Sequence, residues 1–269
     1  MATIADRTRD AAAAIDRLSA ISLLGGALVA FYLAPVATLA VAVAPADLLS
    51  SLATPTVRSA AATSLATASA STLLATVCGV PLGYWLARTP SRLSAVAFGI
   101  VLIPLVLPPT VAGAALLSVV GHGTPVGDLA GGAGLPLTES LAGIVLAQTF
   151  VASPFVVVTA RAAFLGVDDR LTQAARTLGR GRWATARRVV LPLAARGILA
   201  GVTLAFARAM GEFGATVMLA YHPRTMPVEI WASFVGVGLE AAYPVAVLLG
   251  AVALLALGLL RLVGGDPWR

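Results

Sequence analysis

The sequence predicts an all-α membrane protein with six transmembrane helices, and three observations carry that expectation. Hydrophobic residues make up 59% of the 269 residues and charged ones 11%, with a mean hydropathy of +0.94, whereas a soluble domain carries about a quarter charged residues. Apolar stretches of roughly 20 residues or more, the length a helix needs to cross hydrocarbon, recur along the chain. The 18 basic residues are all Arg and gather on alternate connections between those stretches, the asymmetry that sets membrane topology.

Residues 1–20 alternate Asp6, Asp10 and Asp16 with Arg7, Arg9 and Arg17 around an Ala-rich run and read as a polar helical tail. The apolar run from Ile21 to Val43 exceeds a signal-peptide core of about 7–15 residues and reads as span one. A turn-rich outer loop follows from Pro45 to Pro55. Span two, about 60–87, is rich in Ala, Ser and Thr, with Gly79 and Gly83 one turn apart around Pro81. Such faces let membrane helices pack backbone to backbone. Arg88 and Arg92 mark a cytoplasmic turn.

Span three, about 94–120, carries Pro104, Pro108 and Pro109. The pair Pro108-Pro109 is expected to break the helix, with Pro109 opening a new half. The amides after Thr110 then form a positive dipole end, suited to an anion route or serving only as a packing kink. Residues 121–138 form a Gly-rich outer loop without Arg. Span four, about 141–164, is expected to be interrupted at Ser153-Pro154. Span five, about 197–220, holds Arg208 and Glu212. They are read as neighbours on one helix face, although the order Arg before Glu points to partners on other helices. An outer loop at 221–243 and span six at about 241–263 complete the chain, ending past Arg261, Asp266 and Arg269.

Arg7, Arg9, Arg17, Arg88, Arg92, the eight Arg from Arg161 to Arg196, Arg261 and Arg269 fall on one side of this scheme; Arg58 and Arg224 fall on the other. The positive-inside rule makes the first side, with both termini, cytoplasmic.

The composition also excludes several functions. The chain has no Lys, so a Walker A loop, which needs Gly-Lys-Ser/Thr, cannot form and the chain cannot hydrolyse ATP through a P-loop of its own. The net charge of +6 sits beside apolar spans, where lipid and topology account for it and no nucleic-acid partner is expected. Cys78 stands alone and reads as a packing residue; His122 and His222 lie in separate loops without ligand spacing, so no metal is expected. No nucleophile-base constellation appears, and no catalytic residue is assigned. A proton- or sodium-driven transporter is expected to bury acids in several spans and to repeat itself inverted; Glu212 alone qualifies. A channel does not need the loop described next.

Between spans four and five the sequence turns basic: L-T-Q-A-A-R-T-L-G-R-G-R-W-A-T-A-R-R-V-V-L-P, residues 171–192. A helix over about 168–178 has acids in its opening turn and Gly179 as a left-handed stop. A second, over about 182–190, is expected to end where Pro192 forces a bend. Ala174, Ala175 and Gly179 permit close approach of a partner, and Trp183 is a rigid apolar anchor of the type found at binding hot spots. The spacing Gln173-Ala174-Ala175, three residues, Gly179, nine residues, Val189, one residue, Leu191-Pro192 resembles the cytoplasmic E-A-A loop of permease subunits of ATP-driven binding-cassette (ABC) importers. Gln173 stands for the usual glutamate and Val189 for isoleucine.

The phrases L-I-P-L-V-L-P-P-T-V-A-G (102–113) and L-A-F-A-R-A-M-G-E-F-G-A-T (204–216) are similar to those of oxyanion importers, molybdate or tungstate permeases above all, with sulfate/thiosulfate permeases close behind. The resemblance implies a type I importer permease fold over 21–269, with the coupling loop at about 165–195. It implies a second copy of the chain, two ATPase subunits that use ATP and Mg, and an extracytoplasmic oxyanion-binding protein. It assigns ATPase coupling to Gln173, Ala174, Ala175, Gly179, Trp183, Val189, Leu191 and Pro192. The residues themselves make Pro108, Pro109, Thr110, Arg208 and Glu212 candidates for the pathway, a packing kink and an ion pair that glues the spans together being the alternatives.

Overall fold

The computed structural model describes the backbone of residues 4–264 and the side chains of residues 22–258. The charges of the expected N-terminal tail and Arg261, Asp266 and Arg269 lie outside the described side chains. Every regular element among the described residues is helical, and the chain falls into two units, residues 1–49 and 50–269.

The first unit is built on α1 (Ile4–Val41), one helix through tail and span alike, with Pro35 inside it. Its stretch Ser22–Val41 is long and apolar enough to cross a membrane, and Leu23, Phe31 and Val36 are exposed, as lipid-facing side chains are. Helix α2 (Pro45–Ala53) replaces the expected outer loop. Its signals were local ones: Pro45 at the first helical position and Asp47 in the first turn.

The second unit is organised on α3 (Pro55–Arg88), α7 (Leu141–Leu165) and α10 (Leu191–Met210), which pack on one another along their lengths. Ala68 and Ala75 of α3, Ala152 and Val156 of α7, and Ala205 and Phe206 of α10 share one core cluster. Small residues set the spacing. A Cβ on Gly83 would come within 2.9 Å of the Ala160 Cβ and 3.1 Å of the Arg161 amide nitrogen. Nearer the loop, Tyr84 meets Phe164 edge to face with centroids 5.2 Å apart, beside the cluster of Ala160, Val190, Ala194 and Ile198. Buried Ser64, Thr67, Ser71 and Thr72 give α3 a polar stripe; the Ser71 hydroxyl reaches the carbonyl oxygen of buried Gln148 at 3.4 Å. Cys78, expected to pack inside, is exposed on α3.

Span three is two helices, α4 (Arg92–Val106) and α5 (Pro109–Val120), bent by 117°. Ser91 and Ser94 close α4 with a reciprocal capping box, and Pro109 takes the first position of α5. The loops after it are partly helical: α6 (Pro125–Gly132) follows an N-cap at Thr124, and α12 (Met226–Gly236) occupies the expected loop at 221–243. Pro227 and Glu229 in its first turn suit a helix start. Helix α13 (Leu239–Gly264) then begins slightly before its expected limit.

Two expected interruptions are absent. Helix α7 runs unbroken through buried Pro154, because α3 and α10 clamp it from both sides and its remaining backbone bonds face no competing water. Nor does Pro192 end the second loop helix. A short α9 (Arg182–Thr185), a π turn (Ala186–Val190) and α10 form one run of 29 residues. In the π turn the Leu191 amide donates to the Ala186 carbonyl, five residues back. The wider turn leaves the Pro192 ring room against the preceding carbonyls. Among the described residues, five helices are long and apolar enough to cross a membrane, or six if the bent pair is one span.

Candidate functional site

The loop between α7 and α10 folds as a compact helix-turn-helix. Helix α8 (Asp169–Thr177) starts at Asp168, whose carboxylate accepts the Arg170 amide at 2.8 Å, and carries Asp169 in its first turn and Arg176 in its last. It stops as its sequence dictates. Gly179 sits at φ +80°, its amide donates to the Arg176 carbonyl at 3.0 Å, and the Arg180 amide donates to the Ala175 carbonyl at 3.1 Å. These two bonds are the Schellman pair, and the left-handed residue between them favours glycine.

Arg88, at the end of α3, ties this loop to the bundle. Its guanidinium pairs with Asp169 and donates to the Phe164 carbonyl at 3.2 Å. The link joins residues 81 positions apart, and no local pattern announces it. Gln173, Ala174, Gly179 and Trp183 are exposed, Trp183 at 78%, and so are Leu191 and Pro192. Ala175 instead turns inward and Val189 is half-buried, next to fully buried Val190. The sequence reading omitted Leu178, a large apolar side chain 83% exposed beside Gly179. A leucine left in water at a helix stop was the available signal.

The second candidate region assembles at the other prolines. Helix α10 ends at Met210, and Glu212 lies past it rather than on the same helix as Arg208. The pair still forms: Glu212 Oε2 is in ion-pair contact with Arg208 Nη1, and Glu212 Oε1 accepts the Ala215 amide at 2.7 Å, in the first turn of α11 (Gly214–Leu219). The two residues thus find each other, and Glu212 adds a partner on a second helix, α11. Glu212 is 1% exposed, while the Arg208 side chain keeps about a quarter of its surface open.

Gly214 brings this junction to the broken span. A Cβ there would lie 2.7 Å from the Pro109 Cβ and 3.0 Å from the Thr110 amide nitrogen. A Cβ on Gly113 would likewise meet the Met218 Cβ and Ala215 Cα at 2.7 and 2.8 Å. Helices α5 and α11 therefore touch backbone to backbone, and the phrases around Pro108-Pro109-Thr110 and Arg208-Glu212, a hundred residues apart in sequence, meet at one junction.

The opposite ends of α3 and α7 carry a further polar cluster. Glu139, at φ +46°, accepts the Tyr221 and His222 amides at 3.1 and 2.8 Å, and Ser64 accepts the Met226 amide at 2.7 Å. Glu229, expected in an open loop, is buried and pairs with Arg224 at 3.1 Å.

Residues 79–264 match the family described as binding-protein-dependent transport system inner membrane component. A probable molybdenum ABC transporter permease of Haloferax volcanii is 53% identical over 247 residues, covering 92% of this chain and 90% of that protein. A molybdate/tungstate transport system permease of Thermococcus kodakarensis is 36% identical over 70% of each chain. A molybdenum transport system permease of Mycobacterium tuberculosis is 37% identical over 84% of this chain and 87% of the relative. Among solved structures, a bacterial alginate ABC transporter in complex with a pentasaccharide-bound periplasmic protein aligns with a TM-score of 0.74 over 97% of this chain and 98% of that one. At 16% identity that likeness defines the fold, the type I importer permease fold. The chain belongs to the family of inner membrane components of binding-protein-dependent transport systems.

Proposed function

We propose that this chain is the membrane permease of an ATP-driven importer that carries molybdate or tungstate inward from an extracytoplasmic binding protein. Two copies would enclose the pathway, each holding one ATPase subunit, with the termini and the 169–190 loop cytoplasmic. The observation that carries the importer reading is the loop: an exposed platform of Gln173, Ala174, Leu178, Gly179 and Trp183 on a rigid helix-turn-helix, fastened to α3 through Arg88 and Asp169. Its small residues admit a partner surface closely, and Trp183 and Leu178 offer apolar anchors. ATP and Mg belong to the partner, since this chain has no Lys for a P-loop. The names of the three relatives support molybdate or tungstate as cargo over sulfate or thiosulfate.

In this reading, ATPase closure pulls the two loops together, and the stiff run 182–210 carries the movement into the membrane. That run ends at the junction of α5 and α11, where Arg208 offsets the repulsion of a dianion and Glu212 holds the guanidinium between turnovers. Replacing Ala174 with Arg on the platform tests the docking assignment. The variant should insert at wild-type levels yet fail to co-purify its ATPase. Wild-type co-purification with normal uptake would remove this loop as the docking element.

A further inference from the structure

A pocket between the end of α3, the start of α4 and the last turns of α7 holds a guanidinium that the transport reading does not use. Arg161 lies one turn before the end of α7, half-buried, with its guanidinium carbon 4.5 Å from the centre of the Phe98 ring. Among the described residues it has no carboxylate partner: the ion pairs join Arg88 to Asp169, Arg208 to Glu212 and Arg224 to Glu229. The Phe98 face satisfies the cation from one side and leaves the donors of its edge without a protein acceptor. Ser91 and Ser94, also lining the pocket, use their hydroxyls on the α4 cap. The pocket encloses about 470 Å³, within the range of small-ligand sites.

The walls identify the anion. Leu86, Ala95, Phe98 and Leu165 line the pocket, with Leu165 exposed and Phe98 half-buried. A route for a free hydrated dianion keeps polar donors along its length. Here a single cation sits among apolar side chains, the pattern that holds a charged head group with its hydrocarbon alongside. We propose that the Arg161–Phe98 pocket binds the head group of an anionic phospholipid, whose hydrocarbon meets Leu165 and Phe98. The cytoplasmic leaflet follows from the orientation proposed above; the preference for an anionic lipid does not depend on the cargo.

Native mass spectrometry of the purified full-length chain, given equal phosphatidylglycerol and phosphatidylcholine, tests this. Both lipids carry a phosphate, but choline neutralises it in phosphatidylcholine, so one Arg facing a net negative head group predicts a preference of about five-fold for phosphatidylglycerol. Arg161→Gln should erase most of it, and Arg161→Lys, which keeps the charge, should retain it. Phe98→Leu should weaken it while Arg161 stays charged, so the outcome does not hang on one variant folding. Millimolar inorganic phosphate or molybdate should leave the lipid bound. An unchanged preference in Arg161→Gln would overturn the proposal. So would displacement of the lipid by free phosphate or molybdate, which would make this an oxyanion site, or a disulfide between two copies of Phe98→Cys, which would make it a subunit contact.

Discussion

Gly179 separates backbone conformation from partner contact in a single series of variants. It lies at φ +80°, and a Cβ built on it meets nothing within 4 Å. Any cost of a side chain in the free permease is therefore conformational. A non-glycine residue pays about 1–2 kcal/mol in the left-handed region, with β-branched residues at the high end, whereas Asn visits it readily. Opening the stop gives up the two amide bonds to Ala175 and Arg176. One to two kcal/mol is a factor of about 5–30 in population, and ATPase affinity falls with the fraction of loops still closed. Gly179→Ala should thus weaken ATPase binding up to about five-fold and Gly179→Val up to about thirty-fold, with Gly179→Asn near wild type. Titration of purified ATPase onto permease in nanodiscs reads the order directly. If Ala binds better than Asn, side-chain size at the contact decides and the argument from φ is refuted.

Arg208→Gln, which removes charge but keeps donors, should assemble and hydrolyse ATP yet lose anion uptake; failure to assemble, or normal uptake, strikes Arg208 from the pathway. A cysteine at Gly132 should react with an impermeant thiol reagent from outside the cell and one at Arg180 should not, and the reverse pattern overturns the orientation. Gly83→Ala should lower the melting temperature in detergent, because its Cβ would press on the Arg161 and Val157 backbone at an overpacking cost of about 1–3 kcal/mol. Gly99→Ala, also inside a helix but with nothing within 4 Å, should be neutral or stabilising; equal losses for the two would show that space between α3 and α7 is not the limit.

What could be read in advance was what residues dictate locally. Asp168 and Gly179 bound α8 to within a residue of its expected limits, and Pro108-Pro109 broke span three where two prolines must. What could not be read depends on distant neighbours. Pro154 carries a breaker's signal, but the helices packed on both sides of α7 override it. Pro192 carries the same signal, and the π turn just before it absorbs the ring, a device with no composition of its own. In the candidate sites, the exposed platform followed from spacing, whereas the Arg88–Asp169 tie and the inward turn of Ala175 emerge only from packing. Arg208 and Glu212 were legible as a pair, but the end of α10 at Met210 and the role of Glu212 in holding the start of α11 rest on the close approach that Gly214 allows to Pro109.

Uptake of labelled molybdate into proteoliposomes tests the central claim most directly, with this chain and its ATPase in the membrane, the ATPase facing inward, ATP inside and the binding protein outside. Accumulation should require both ATP and the binding protein, and tungstate should compete where an equal concentration of sulfate does not. Uptake that proceeds on an ion gradient without ATP, or that sulfate suppresses as well as tungstate does, would contradict the account.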